Sequence, residues 1–239
     1  MNLTINSTII SKKSVIVSSI DSKRRIALVA GIFYLLTFIS IPTLSLYVSV
    51  HDANYVLSRG SDNKVFIGAI LELLVALTGI GTAVALYPVL KRQNEGMALG
   101  LVASRVLEAS TIFVGVAFLL SVVTLRQSGV GQEALSASHA LVALYDRVFL
   151  IGQSFMPAIN DLILGILLYQ SRLVPRALAL IGIIGAIPLV TGDLFVLFGY
   201  IEQHSPYAGL SALMVAVFEF SLGVYLVFKG FKTRKAIRI

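Results

Sequence analysis

Residues 65–90 read VFIGAILELLVALTGIGTAVALYPVL, a run in which Glu72 is the single charged side chain. A helix of this length extends about 39 Å at 1.5 Å per residue, whereas the hydrocarbon core of a bilayer is roughly 30 Å thick. In water such a helix would expose apolar surface on every side. The stretch therefore predicts a membrane-spanning helix, and it decides the class of fold.

Five further stretches have the same apolar character and are bounded by polar residues. The six predicted spans are Ile26–Val50, Val65–Leu90, Gly96–Leu125, Val148–Tyr169, Arg176–Gly199 and Tyr207–Phe228. Short connections favour antiparallel neighbours in a bundle. We therefore predict an all-α, polytopic integral membrane bundle of about six transmembrane helices over residues 26–229. Residues 1–25 are predicted to form a flexible cytoplasmic tail, and residues 230–239 a basic cytoplasmic tail.

The composition of the 239-residue chain supports a membrane environment. Charged residues make up 13%, against about a quarter in soluble domains, and the mean hydropathy is +0.90. The absence of cysteine excludes disulfides, thiolate nucleophiles and cysteine metal ligands. The net charge of +7 is interpreted as a signal for membrane orientation, so membrane lipids are expected partners and nucleic acid is not.

The basic residues predict the orientation of the bundle. With the N-terminus inside, the inner segments hold 14 Lys and Arg residues and the outer connections hold 3, while Arg105 and Arg147 lie in or near spans. This bias places both termini in the cytoplasm, most naturally at a prokaryotic plasma membrane. It also requires an even number of spans, in agreement with six.

The fourth span has the least certain start, because its apolar pattern runs from His139 to Tyr169. That length corresponds to about 46 Å of helix, which exceeds the roughly 30 Å core. Either the helix tilts or kinks, or the residues before Val148 lie at the outer surface. Pro157 is a candidate kink site, because proline removes a helical hydrogen bond.

Ionisable side chains at bilayer depth are costly and usually face a bundle interior or a wet cavity. Eight such residues lie in the spans or at their ends: Glu72, Arg105, Glu108, Asp146, Arg147, Asp161, Asp193 and Glu219. Six acids against two bases give a charge of −4 if all are ionised. Burial and mutual repulsion favour neutral carboxyl groups. Some of the carboxyls should therefore be protonated, lie in water or bind a cation.

Counting residues from the span ends arranges these groups in two layers. Arg105, Glu108, Asp161 and Glu219 fall near the middle, and Glu72 and Asp193 fall in an outer layer. Arg105 and Glu108 are three residues apart, which favours an ion pair on one helix face.

The fourth span carries two polar series at seven-residue spacing. Its polar residues are Arg147, Ser154 and Asp161, with Asp146, Gln153 and Asn160 beside them. A seven-residue spacing returns to nearly the same helix face, so these residues predict an inward-facing polar stripe. If the membrane begins at Val148, Asp146 and Arg147 are instead interfacial charges.

The three histidines, His51, His139 and His204, all fall near the predicted outer boundary. A metal site there is conceivable, since zinc accepts histidine and carboxylate ligands, although no His-Glu-x-x-His pattern occurs. Gly-x-Ser-x-Gly and P-loop motifs are absent, and no span contains a lysine away from its ends. We accordingly predict no cofactor and no catalytic residue.

Three stretches carry a resemblance to a known family. They are Arg25–Leu36, Arg105-Val-Leu-Glu108 and the succession from Leu164 to Gly182 that includes Tyr169, Ser171 and Pro175-Arg176. From about Lys23 to Phe231 the chain resembles bacterial and archaeal membrane proteins described as domain of unknown function 4386. The resemblance implies a multi-span bundle and supplies no reaction, ligand or catalytic residue.

Three functional hypotheses follow from the polar residues. The leading one is binding or transport of a small solute or proton at Arg105, Glu108, Asp161 and Glu219, with Asn160, Glu72, Asp193 and Arg147 as further candidates. The first alternative is a non-catalytic scaffold, sensor or accessory subunit whose polar groups only secure helix packing. The second is a membrane enzyme with an outward-facing metal site at His51, His139 and His204. The sequence carries no signal for an oligomeric state.

Overall fold

The computed structural model of the protein describes residues 21–232, and this part of the chain is helical throughout, without strands. It contains six helices long and apolar enough to span a membrane: α1 (Asp21–Leu46), α2 (Asn63–Leu90), α3 (Glu95–Gln127), α4 (Gly131–Ser171), α5 (Arg176–Leu197) and α6 (Pro206–Phe228). The predicted all-α bundle of six spans is confirmed. Large apolar side chains such as Ile187 and Leu210 are about two-thirds exposed, as expected for surfaces that face lipid.

Helix α1 departs from its prediction at both ends. Residues 21–25, assigned to the flexible tail, already belong to the helix, whereas residues 1–20 lie outside the described part of the chain. Regular α-helix ends at Thr37 and continues as a 3₁₀ turn, Phe38–Ser40, and a short helical turn, Thr43–Leu46. Pro42 explains the break, because proline has no N–H to donate to the helix and its ring clashes with the carbonyl four residues earlier. The predicted span to Val50 is therefore too long.

Helix α4 consists of four consecutive helical segments of three different geometries. A 3₁₀ turn (Gly131–Ala134) leads into an α-helix (Leu135–Phe149), a π-helical segment (Leu150–Phe155) and a second α-helix (Met156–Ser171). Pro157 lies two residues after the end of the π segment and accounts for it, since the missing N–H and the bulk of the ring disturb the preceding turn. The irregularity expected at Pro157 is thus a π turn within a continuous rod.

The two ends of the described chain meet on one side of the bundle, here called the terminal side. Arg24 donates from Nη1 to the carbonyl oxygen of Leu226 at 2.9 Å, and the backbone N–H of Lys232 donates to Leu173 at 2.8 Å. The opposite side, called the loop side, carries the α1–α2, α3–α4 and α5–α6 connections. That the terminal side faces the cytoplasm stays a prediction.

Apolar packing closes the terminal half of the bundle. Its fully buried members include Leu86, Leu101, Leu164, Phe218 and Leu222, contributed by four of the six helices. Close helix contact is achieved with glycine at the α1–α6 crossing: a Cβ on Gly31 would lie 2.8 Å from the carbonyl oxygen of Gly223. The polar residues lie above this apolar layer, toward the loop side.

Candidate functional site

Arg105 is the centre of a buried ionic cluster that joins α3 to α6. It is 3% exposed, and its Nη1 lies 3.0 Å from Oε2 of Glu108 one turn further along α3, so the predicted ion pair is present. Its Nη2 pairs with Oε1 of Glu219 on α6. Tyr34 of α1 places its ring 5.8 Å below the guanidinium carbon. One arginine thus connects three helices.

Two polar residues of α4 complete the cluster, which we call the central cluster: Arg105, Glu108, Asn160, Asp161 and Glu219. Asn160 donates from Nδ2 to Glu108 at 2.7 Å and accepts from the hydroxyl of Ser104 at 2.5 Å. Asp161 is completely buried, and neither of its carboxyl oxygens has a hydrogen-bond partner within residues 21–232. The structure therefore brings together the four residues predicted to share a middle layer.

The charges of the central cluster do not balance. Glu108, Asp161 and Glu219 supply three carboxyl groups, and Arg105 supplies one positive charge. With all four ionised the cluster would carry a charge of −2 in a region where charge is expensive to bury. Neutrality requires protons on the carboxyl groups or a bound cation.

A cavity of about 220 Å³, called the central cavity, lies against this cluster. Arg105, Glu108 and Glu219 supply its ionic wall. All six helices contribute to it, and apolar residues such as Val75 on α2 and Leu189 on α5 form much of the remaining wall. The cavity thus offers a negatively charged wall beside apolar surface.

The outer layer of acids is also in place and is held by hydrogen bonds. Glu72 is fully buried and accepts from the hydroxyls of Tyr145 at 3.0 Å and Tyr47 at 3.3 Å, and from the Gln153 amide at 3.3 Å. These donors satisfy the Glu72 carboxyl within the protein, which makes it a structural link between the α1–α2 connection, α2 and α4.

Asp193 of α5, the second outer acid, accepts from the Ser154 hydroxyl at 2.5 Å, while its Oδ2 is buried without a partner in the described chain. Asp193 lines a second cavity of about 600 Å³, called the outer cavity, which reaches the surface beside His204. Gln153, Ser154 and Ala212 line both cavities. The two cavities therefore adjoin at these three residues, between the loop side and the central cluster.

The histidines are arranged differently from the prediction. His51 and His204 both lie against Asp146, with Nε2 of each ring 3.1 Å and 3.6 Å from Oδ1 of that residue. His139 is exposed and contacts the carbonyl oxygen of Ala53 instead. The hydrogen bond to Asp146 raises the pKa of His51, although partial burial opposes the shift. Asp146 was missed as their partner because it is distant in sequence from both.

The structure corrects the prediction for Arg147. Its side chain is exposed and does not lie on an inward-facing stripe with Ser154 and Asp161. The prediction assumed uniform helical rotation from Arg147 to Asp161, but the π segment lies between them. A π turn accommodates an extra residue, which rotates everything before it by about 100° relative to a regular helix. Asn160 and Asp161 face inward, and Arg147 consequently points outward.

A further ion pair, between Asp62 and Arg126, stabilises the loop side of the bundle. The carboxyl of Asp62 lies 2.5 Å from Nη1 of Arg126 and accepts from the hydroxyl of Tyr55 at 2.6 Å. Burial opposes ionisation of Asp62, but the hydrogen bonds and the guanidinium outweigh it and lower the pKa of the carboxyl. Burial, aided by Asp62, raises the pKa of Tyr55 to about 12. The α1–α2 connection is thereby fastened to α3.

Comparison with known proteins identifies the family of the chain without adding a function. No significant match was found among curated proteins or among solved structures. The family model described as "Domain of unknown function (DUF4386)" matches residues 29–230, which include α1 from its third turn, the other five helices and every residue of the central cluster. This match covers well over half of the sequence, and the chain therefore belongs to the DUF4386 family of membrane proteins.

Proposed function

We propose that this protein binds a small cation at the central cluster in exchange for protons and transports it across the membrane. The observation that supports this proposal is the charge imbalance: the buried carboxyls of Glu108 and Asp161 and the partly buried carboxyl of Glu219 lie in one cluster with a single guanidinium, beside a cavity. A cation in the central cavity would neutralise the ionised cluster, and protons on the carboxyl groups would neutralise it in the cation's absence.

The size and the walls of the cavity indicate the class of solute. A cavity of 150 Å³ holds benzene, so 220 Å³ has room for about nine non-hydrogen atoms. A metal ion would leave most of this space unused, whereas an organic cation would place its charge on Glu108 and Glu219 and its carbon atoms against Val75 and Leu189. The preferred solute is accordingly an organic cation with a compact apolar part.

The geometry supports access from the loop side. The outer cavity leads to Gln153 and Ser154, which also border the central cavity. The terminal half below the cluster is closed by apolar packing of Leu86, Leu164 and Phe218. In this arrangement the site is accessible from the loop side, and passage of a solute to the terminal side requires Leu86, Leu164 and Phe218 to separate.

The predicted orientation completes the proposal. With both termini in the cytoplasm of a prokaryotic cell, the loop side and the outer cavity face outward. The proposed location is the plasma membrane, and the proposed solute enters the site from outside the cell.

Benzamidinium and benzamide provide a matched test of the binding step, because they share shape and size and differ in charge. Purified protein is titrated with each compound by calorimetry, using wild type, Glu219→Gln and Glu133→Gln. Glu133 is an exposed carboxyl in the first turn of α4 and serves as the control for loss of one charge. The proposal predicts that benzamidinium binds wild type and Glu133→Gln, binds Glu219→Gln at least tenfold more weakly, and that benzamide binds none of them.

Equal binding of both compounds would overturn the proposal, because the cluster would then recognise shape and not charge. The absence of binding by any member of a series of alkyl- and aryl-substituted cations would favour a scaffold or accessory role. Transport is tested with radiolabelled benzamidine in proteoliposomes under a pH gradient. Uptake by wild type but not by Glu219→Gln supports transport, and equal uptake in both restricts the function to binding.

A further inference from the structure

Two histidines and one aspartate come together at the loop side, separate from the central cluster. We propose that His51, Asp146 and His204 bind one divalent transition-metal ion of the Zn²⁺ type at the entrance of the outer cavity. The three residues come from different segments: the connection after α1, the helix α4 and the connection between α5 and α6. Each supplies one ligand atom, and these atoms all lie within 4.8 Å of one another.

The separations of the ligand atoms fit a single ion. In tetrahedral zinc sites with metal–ligand distances of 2.0–2.2 Å, neighbouring ligand atoms are about 3.3 Å apart. Here Nε2 of His51 and Nε2 of His204 lie 3.1 Å and 3.6 Å from Oδ1 of Asp146. The two histidine nitrogens lie within 4.8 Å of each other, so small side-chain movements would bring all three atoms to the ligand positions.

The hydrogen bonding of His51 selects the correct nitrogen for a metal. Its Nδ1 lies 2.9 Å from the backbone carbonyl oxygen of Tyr47, which can only accept, so Nδ1 must carry a hydrogen. In the neutral ring Nε2 then presents a lone pair toward an acceptor oxygen of Asp146. That contact is repulsive unless a proton or a metal ion lies between them. Donation from the second ring nitrogen to a backbone carbonyl is the usual support of metal-binding histidines.

The other two ligands are also positioned by the fold. Gln203 donates from Nε2 to the backbone carbonyl of Asp146 at 2.9 Å, which fastens the α5–α6 connection to α4 and places the adjacent His204 beside the carboxyl. The side-chain Oε1 of Gln203 is buried without a hydrogen-bond partner among the described residues. It is a further oxygen acceptor within the lining of the outer cavity.

Three protein ligands leave one position of a tetrahedral ion open. All three line the outer cavity or border it, and His204 is 47% exposed, so this position is accessible from the loop side. Sites with two histidines, one carboxylate and an open position are typical of zinc ions that bind water or substrate, whereas structural zinc sites have four protein ligands. The proposed ion could therefore bind an anionic or neutral ligand at the entrance.

The metal is tested on full-length protein carrying a tag without histidine. Samples are incubated with Zn²⁺, freed of excess metal and analysed by mass spectrometry for zinc per chain, and Zn²⁺ affinity is measured by calorimetry. The variants are His204→Ala, Asp146→Asn and the matched control His139→Ala, which removes an exposed histidine outside the group. We expect one Zn²⁺ per chain in wild type and in His139→Ala, and affinity at least about 100-fold lower in the other two.

Zinc-dependent thermal stabilisation provides a second readout that does not depend on any activity. It should occur in wild type and vanish in His204→Ala, whose exposed position makes a folding defect unexpected. Unchanged zinc content in both ligand variants, or no zinc in wild type, would overturn the inference in favour of a protonated His51 paired with Asp146. Glu219→Gln should retain zinc, so failure of the cation proposal and failure of the metal proposal are distinguishable.

Discussion

Replacing Arg105 by methionine removes the positive charge that pairs with both Glu108 and Glu219 while keeping a long side chain in place. At an effective dielectric constant of about 20, opposite unit charges 3.0 Å apart, as in the Arg105–Glu108 pair, attract each other by roughly 5.5 kcal/mol. Desolvation offsets much of this attraction. Removal of one partner from a buried ion pair costs about 3–5 kcal/mol, because the remaining charge is left unpaired.

This cost should be visible as a lower melting temperature. In a chain of this size 1 kcal/mol corresponds to about 2–4 °C, so Arg105→Met should melt roughly 6–20 °C below wild type at neutral pH. Thermal unfolding in detergent is monitored by light scattering or dye binding, because the chain has no tryptophan whose fluorescence could report it. Lowering the pH should reduce the difference, because a protonated carboxyl group no longer needs a cation.

Arg147→Met is the matched control, since Arg147 is exposed and lies on the same bundle. Its effect should stay within about 0.5 kcal/mol, as for other surface substitutions. If the two variants have the same melting temperature, Arg105 does not stabilise the carboxyl groups, and the argument from charge imbalance is refuted.

Three further predictions concern other parts of the bundle. Asp62→Asn should lower the melting temperature at pH 7. Because folding lowers the pKa of Asp62, its contribution is present above the unfolded pKa of about 3.9 and is lost as the pH falls through the folded pKa, so a difference that does not shrink as the pH is lowered below about 3.9 would contradict it. Gly152→Ala should lower the free energy of unfolding by about 1–3 kcal/mol, because the added Cβ would clash with the Thr111 hydroxyl. Thr111→Gly should partly rescue this variant, and a double variant that loses the sum of the two single losses in stability would contradict the clash. Tyr145→Phe should cost about 1–3 kcal/mol by removing a buried donor to Glu72, measured by thermal unfolding against Tyr225→Phe, and equal stability of the two variants would contradict this assignment.

The fold could be predicted from the sequence because the bilayer sets a length. A run such as residues 65–90 has few structural options in lipid, and five more runs obey the same limit. The differences between the predicted and the observed helices are local and occur near prolines. Pro42 ends regular helix in α1 early, and Pro157 accompanies the π segment in α4. Hydropathy reports length and apolarity, and it does not report the geometry of individual turns.

The candidate site was predictable to the extent that its contacts are local. Arg105 and Glu108 lie one turn apart on one helix, and their ion pair follows from spacing. The partner on α6, Glu219, agrees with the depth estimate, but its contact with Arg105 depends on how three helices pack. The prediction that Arg147 faces inward was wrong, because the π segment changes the rotation of the residues that precede it in α4. The meeting of Asp146 with His51 and His204 depends on two connections and has no local sequence signal.

The exchange of protons for a cation at the central cluster is tested most directly by counting protons. Benzamidinium is titrated into the wild-type protein in two buffers of the same pH and different ionisation enthalpies, and the difference in heat gives the number of protons released. The account predicts net proton release on binding in wild type and tighter binding as the pH rises. Binding without proton release, at an affinity that does not change with pH, would contradict it.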